Sequence, residues 1–96
     1  MFLIKTTDEF DRWLDGLRDR VAQQRIVARL RKASAGLLGD VGPVGEGVSE
    51  MREHFGPGYR IYFKQQGDVF IIVLAGGNKS TQSADIARAL KLANQL

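Results

Sequence analysis

Residues 48–75 read VSEMREHFGPGYRIYFKQQGDVFIIVLA, three runs of strand-forming residues cut by GPG and by QQGD. Val48 to Phe55, Tyr59 to Lys64 and Val69 to Ala75 are expected to form consecutive strands of one sheet, because β-branched and aromatic residues alternate with polar ones between turn-forming glycines. If Gly56, Pro57 and Gly58 close a three-residue loop, His54 lies opposite Arg60, Arg52 opposite Tyr62 and Met51 opposite Phe63. Polar then meets polar, whereas a slip of one residue would set Arg52 against Phe63 and mix the faces. Glu53 falls on the mainly apolar side and belongs near an edge. VFIIVLA is apolar on both faces, which calls for a central strand covered from both sides.

Working outward, FLIK (residues 2–5) is a short apolar strand. Thr7 or Asp8 can cap a helix in which Phe10, Trp13, Leu14 and Leu17 share one face, so Trp13 reads as core. A second helix from about Asp19 to Ala35 buries Ala22, Ile26, Leu30 and Ala33, turns its arginines outward, and ends where Gly36 can take the left-handed cap. The two helices are joined so tightly that they must form a hairpin. Residues 36–47, GLLGDVGPVGEG, read as a loop. After GGNKST comes a last helix from about Thr81, with Ile86, Ala89, Leu90 and Ala93 inside. The order is βααβββα: one α+β domain over residues 1–96, its helical hairpin and C-terminal helix packed on a twisted, mainly antiparallel sheet.

A chain of 96 residues supports one core, burying roughly 60–70% of its unfolded surface. It has no cysteine and a single histidine, His54, so neither a disulfide framework nor a thiolate or histidine metal site is expected. No cofactor is implied. The apolar N-terminal run stops at Lys5, too short for a signal core or a membrane span, and a cytoplasmic protein is expected. Net charge is only +3, but Arg18, Arg20, Arg25, Arg29, Arg31 and Lys32 crowd one segment against Asp19 alone, a polyanion-sized patch or a solvated helix face.

Arg52, His54, Arg60 and Tyr62 would share one sheet face, with Lys64 further along. Opposed Cβ atoms lie about 5 Å apart, so two arginines there repel unless an anion, or Glu46 or Glu50, sits between them. Lys79 adds a charge at the strand-to-helix junction AGGNKST, where helix-start amides can face an anion. Asn78 separates Gly77 from Lys79, so the phosphate-loop spacing of nucleotide hydrolases is absent. Metal-free RNA cleavage needs a base for the ribose 2′-hydroxyl, cations for the phosphate and an acid for the leaving 5′-oxygen. His54 and Tyr62 can move protons, and Arg52, Arg60 and Lys79 can hold the phosphate. The same groups could bind a phosphate without cutting it. Gln82 and Asp85 share a helix face that could look toward Lys79, with capping or solvation the plainer role.

The run GEGVSEMREHFGPGYRIYF, followed by LAGGNKSTQSADIARA, resembles the addiction-module killer proteins, a HigB-like branch of the RelE/ParE toxin superfamily. Their pattern joins G-x-G-x-x-E-x-R to G-P-G-Y-R-[IV]-Y and then to G-G-x-K-x-x-Q-x-x-D-I, and with the helical hairpin it covers nearly the whole chain. The resemblance implies a RelE-like fold and the toxin of a type II toxin–antitoxin pair, with a small helix-turn-helix antitoxin as partner. It further implies a metal-independent endoribonuclease that cuts mRNA on the ribosome with Arg52, His54, Arg60, Tyr62 and Lys79. Arg25, Arg29, Lys32, Lys64 and Gln82 would then hold RNA. Several relatives place a catalytic tyrosine or histidine near the C-terminus, where this chain ends ALKLANQL, which leaves that part to Tyr62 or His54. The alternative on the same scaffold is a ParE-like inhibitor of DNA gyrase with no chemistry of its own.

Overall fold

The computed structural model describes residues 1–96. Strand β1 (Leu3–Thr6) leads into α1 (Asp8–Asp15) and α2 (Arg20–Ser34). Four strands follow, β2 (Val41–Gly45), β3 (Val48–Arg52), β4 (Tyr59–Gln66) and β5 (Phe70–Asn78), then a 3-10 turn (Lys79–Thr81) and α3 (Gln82–Ala93). The sheet order is β1-β5-β4-β3-β2, with β1 parallel to β5 and the other pairs antiparallel. The expected α+β class and central VFIIVLA strand are found; the sheet has one strand more than the sequence pattern gives.

That extra strand lies in the glycine-rich segment read as a loop. Val41–Gly45 pairs antiparallel with β3, and Glu46 and Gly47 make the connecting turn with φ of 52° and 80°. Two successive positive φ values are the mark of a type I′ turn, whose twist matches the flanking strands. Glutamate is a poor residue for this backbone. Glu46→Asn is expected to raise stability by about 0.5–1 kcal/mol, seen as a higher urea midpoint with unchanged slope.

Helix boundaries follow their caps. Thr7 accepts the Phe10 amide at 3.1 Å and donates its hydroxyl to Leu74 O at 2.6 Å, fixing α1 to β5. Asp19 accepts the amides of Val21 and Ala22 and starts α2. Leu17, expected on the first helical stripe, lies past the end of α1 but still packs on the core.

The sheet separates two apolar layers. On one face Phe10, Ala22, Ile26 and Ala33 from the hairpin meet Met51, Ile61, Phe63, Ile71 and Val73. Trp13 lies so close over Gly76 that a Cβ there would collide with its ring. On the other face Ala89 and Ala93 of α3 cover Val48, Tyr62, Ile72, Leu74 and Ala75. Fully burying each large apolar side chain contributes about 1.5–3 kcal/mol. Both edge strands are modified: the Phe2 amide and carbonyl are taken by Ser34 at 2.8 and 3.0 Å, and β2 carries Pro43 and a register shift between Pro43 and Gly45.

The β3–β4 register differs from the expected one by two residues. Arg52 pairs with Arg60, Met51 with Ile61 and Glu50 with Tyr62. The Glu53 amide still reaches Tyr59 O at 3.0 Å, so the loop is the five residues His54–Gly58 rather than Gly-Pro-Gly alone, and β3 itself ends at Arg52, short of the expected Phe55. A slip of two keeps every side chain on its face, so the alternation of the sequence fits both pairings.

Candidate functional site

On the α3 side of the sheet, Arg52, Arg60 and Gly77 form one cross-strand row, and Glu50, Tyr62 and Ala75 form the next. Gly77 leaves room for Asp85, whose carboxylate sits where a Cβ would be, and the Arg52 guanidinium lies over Gly42 in the same way. Gln82 donates to Glu50 Oε1 at 2.9 Å, so the three stretches that carry the sequence resemblance meet in this patch.

The two arginines are held differently. Arg52, about one-third exposed, is neutralised: its Nε donates to Glu50 Oε2 at 2.9 Å and its Nη1 to Asp40 Oδ1 at 3.2 Å. The pairing raises its pKa, through the bond to Glu50 first and to Asp40 second. Arg60 is 5% exposed, makes no salt bridge, and sends Nη1 to the carbonyls of Glu53, Gly58 and Tyr59 at 3.3, 3.3 and 3.0 Å. Its Nε is buried with no acceptor. A guanidinium removed from water without a carboxylate is costly, and the cost falls when an anion arrives.

His54, with its side chain 63% exposed, is joined to this pair through Asp40, whose Oδ2 lies 2.6 Å from Nε2. Asp40 is held below the ordinary aspartate range, chiefly by that bond and then by Arg52, with desolvation acting the other way. Tyr62 is fully buried and its hydroxyl has no partner. Burial first, then the negative charges of Glu50 and Asp85, push its pKa up to about 12, with Arg60 opposing. It is therefore a protonated donor at neutral pH and not a base.

The Tyr62 hydroxyl gives two linked expectations. Because an unpaired buried hydroxyl costs on the order of 1 kcal/mol or more, Tyr62→Phe is expected to be at least as stable as the natural protein. Its folded pKa stands above the unfolded value of 10.0, so its contribution is fully present below pH 10 and is lost as pH rises toward about 12. Urea titrations at stepped alkaline pH should show that decline in the natural protein and a shallower one in Tyr62→Phe.

Lys79 stands on the same rim as Arg60. Its amide donates to Gly58 O at 3.0 Å, the carbonyl that Arg60 also uses, and its stem packs against Gly58. The Asn78 side chain accepts the Ser80 amide and the Thr81 hydroxyl pairs with Asp85, so this junction is capped from within. Of the expected RNA contacts, Gln82 is in the patch. Lys64 faces Val48 at the far end of β4. Lys32 is exposed on α2, and Arg25 stacks over Phe55 at 4.7 Å.

Arg29 corrects the expectation that the arginines of α2 all face outward. Its side chain is 11% exposed and donates to Leu38 O, Asp40 O, Arg52 O and Glu53 Oε1 at 2.8–3.1 Å. It clamps α2 to the segment entering β2 and to the end of β3, and it explains how Glu53 is tolerated on its face. Sequence reasoning missed Asp40, which stood in a stretch read as loop, and underrated Glu50 and Asp85; the E-x-R spacing of Glu50 and Arg52, two apart on one strand face, was the available signal. No group of three or more histidines or carboxylates is placed to hold a metal ion.

An uncharacterized protein of Haemophilus influenzae (strain ATCC 51907 / DSM 11121 / KW20 / Rd) is 45% identical over 93 residues, spanning 97% of this chain and 94% of that one. The chain belongs to that protein's family. No family model matches the sequence. Among solved structures, this chain resembles the conserved hypothetical protein HP0894 from Helicobacter pylori, with a TM-score of 0.58 and 20% identity over 83% of this chain and 97% of that one. YafQ from E. coli strain BL21(DE3) superposes with a TM-score of 0.51 and 14% identity over 85% and 98%. The fold is therefore RelE-like, as the sequence resemblance implied. No helix is long and apolar enough to cross a membrane.

Proposed function

We propose that the protein is the toxin of a type II toxin–antitoxin pair and acts as a ribosome-dependent endoribonuclease on mRNA. The observation that carries this reading is Arg60, a buried cation without a carboxylate, directly across the sheet from Arg52 and sharing a rim with Lys79. A phosphodiester seated there would receive the charge that the protein leaves unmatched. His54 supplies proton transfer from the exposed side, and Tyr62 remains a protonated hydroxyl beneath. The exposed cations Arg18, just before α2, and Arg20, Arg31 and Lys32 on α2 suit the backbone of structured RNA. The similarity to HP0894 and YafQ supports the scaffold of this reading, and the partner implied is a helix-turn-helix antitoxin.

Purified protein added to programmed ribosomes should release fragments ending in 2′,3′-cyclic phosphate. Intact message after incubation with folded protein would overturn the reading. A second reading, a ParE-like inhibitor of DNA gyrase, is favoured by the closed state of the patch: Arg52 is neutralised by two carboxylates and Tyr62 is sealed under α3. Inhibition of supercoiling that survives replacement of both His54 and Arg60 would decide for it.

A further inference from the structure

Asp40 stands just before β2, outside the stretches that carry the resemblance, yet its one carboxylate holds both groups that the proposed reaction needs on the exposed side. Oδ2 lies 2.6 Å from His54 Nε2, and Oδ1 lies 3.2 Å from Arg52 Nη1. Its backbone is fixed as well, since Asp40 O accepts from the Arg52 amide and from Arg29 Nη2, each at 2.9 Å. The remaining charged groups around it are Glu50, on the far side of Arg52, and Arg60, across the strand from Arg52.

An ionised carboxylate only accepts hydrogen bonds, so Nε2 must be the protonated ring nitrogen. In neutral His54 the free lone pair is then on Nδ1, which no protein group occupies, on a side chain open to solvent. We propose that Asp40 is a positioning residue that fixes the His54 tautomer and, by tying the ring to the Arg52 guanidinium, holds the base in one place at the edge of the patch. This rests on the endoribonuclease reading. In the step it serves, Nδ1 takes the proton of the 2′-hydroxyl and the 2′-oxygen bonds to phosphorus. The P–O5′ bond breaks with its electron pair on the 5′-oxygen, which takes a proton from water. A 2′,3′-cyclic phosphate and a 5′-hydroxyl result, and the imidazolium returns its proton to solvent.

The test compares Asp40→Asn, Asp40→Glu, His54→Ala and the Asp40→Asn/His54→Ala double variant in ribosomal cleavage with the full chain. Misplacing a proton acceptor by about 1 Å lowers rates by up to about 100-fold, so Asp40→Asn should lose about 10- to 100-fold in kcat with KM changed less than about twofold. Asp40→Glu should recover part of the loss, and the double variant should be no slower than His54→Ala alone. Natural kcat in Asp40→Asn, or multiplicative losses in the double variant, would overturn the role of Asp40. Absence of cleavage by the natural protein would instead overturn the endoribonuclease reading. The pairing itself is read without activity: the Asp40 carboxyl carbon, followed by NMR, should titrate at higher pH in His54→Ala, and an unmoved midpoint would refute it.

Discussion

Arg60→Ala is expected to lower ribosomal message cleavage by about 10²–10³-fold, the usual effect of removing one preorganised donor from a developing negative charge. The size follows from the setting. Arg60 is buried, anchored by three carbonyls through Nη1 and unmatched by any acid, so its charge is held in place and little screened by water. Arg60→Lys keeps a charge but loses the planar fork, and should fall between the two. A fold change would confuse the result, so amide spectra of residues 48–66 should accompany the assay. Cleavage at the natural rate by Arg60→Ala would remove this residue from the site.

The second large effect is on stability. Arg29→Ala removes a donor from each of three carbonyls, of which Asp40 O keeps the Arg52 amide, and leaves Glu53, 17% exposed at its side chain, without its cation. Breaking such a pair costs about 3–5 kcal/mol. In a domain of this size each kcal/mol is worth about 4–8 °C, so thermal unfolding should occur more than about 10 °C lower. RNA affinity should behave differently. Below the melting range, the salt dependence of RNA binding should be unchanged in Arg29→Ala, whereas loss of the exposed Lys32 should flatten its slope by about one phosphate contact. An Arg29→Ala protein of natural stability would show that the clamp is ornamental.

How much of this was legible in the chain depends on whether a signal was local. Thr7 and Asp19 announce their helices because a short oxygen-bearing side chain followed by an apolar stripe has few other uses. The apolar run of β5 predicts its own burial. β2 was not legible, since Val41–Gly45 has two glycines and a proline among five residues and its pairing is supplied by β3. The width of the His54–Gly58 loop was hidden by the period of two along a strand, and with it the fact that Glu50, not Arg52, faces Tyr62. Arg29 and Asp40 look like surface charges in any reading of composition. Their roles arise from carbonyls and partners nine or more residues away, which only the folded backbone brings to them.

The trimmed borders of the sheet bear on how the chain behaves in company. Ser34 occupies the main-chain groups at the start of β1, and Pro43 withholds an amide from β2. A copy of this chain therefore finds little template on either flank for stacking into fibres, which protects a basic, cysteine-free molecule at the high local concentrations of fresh synthesis.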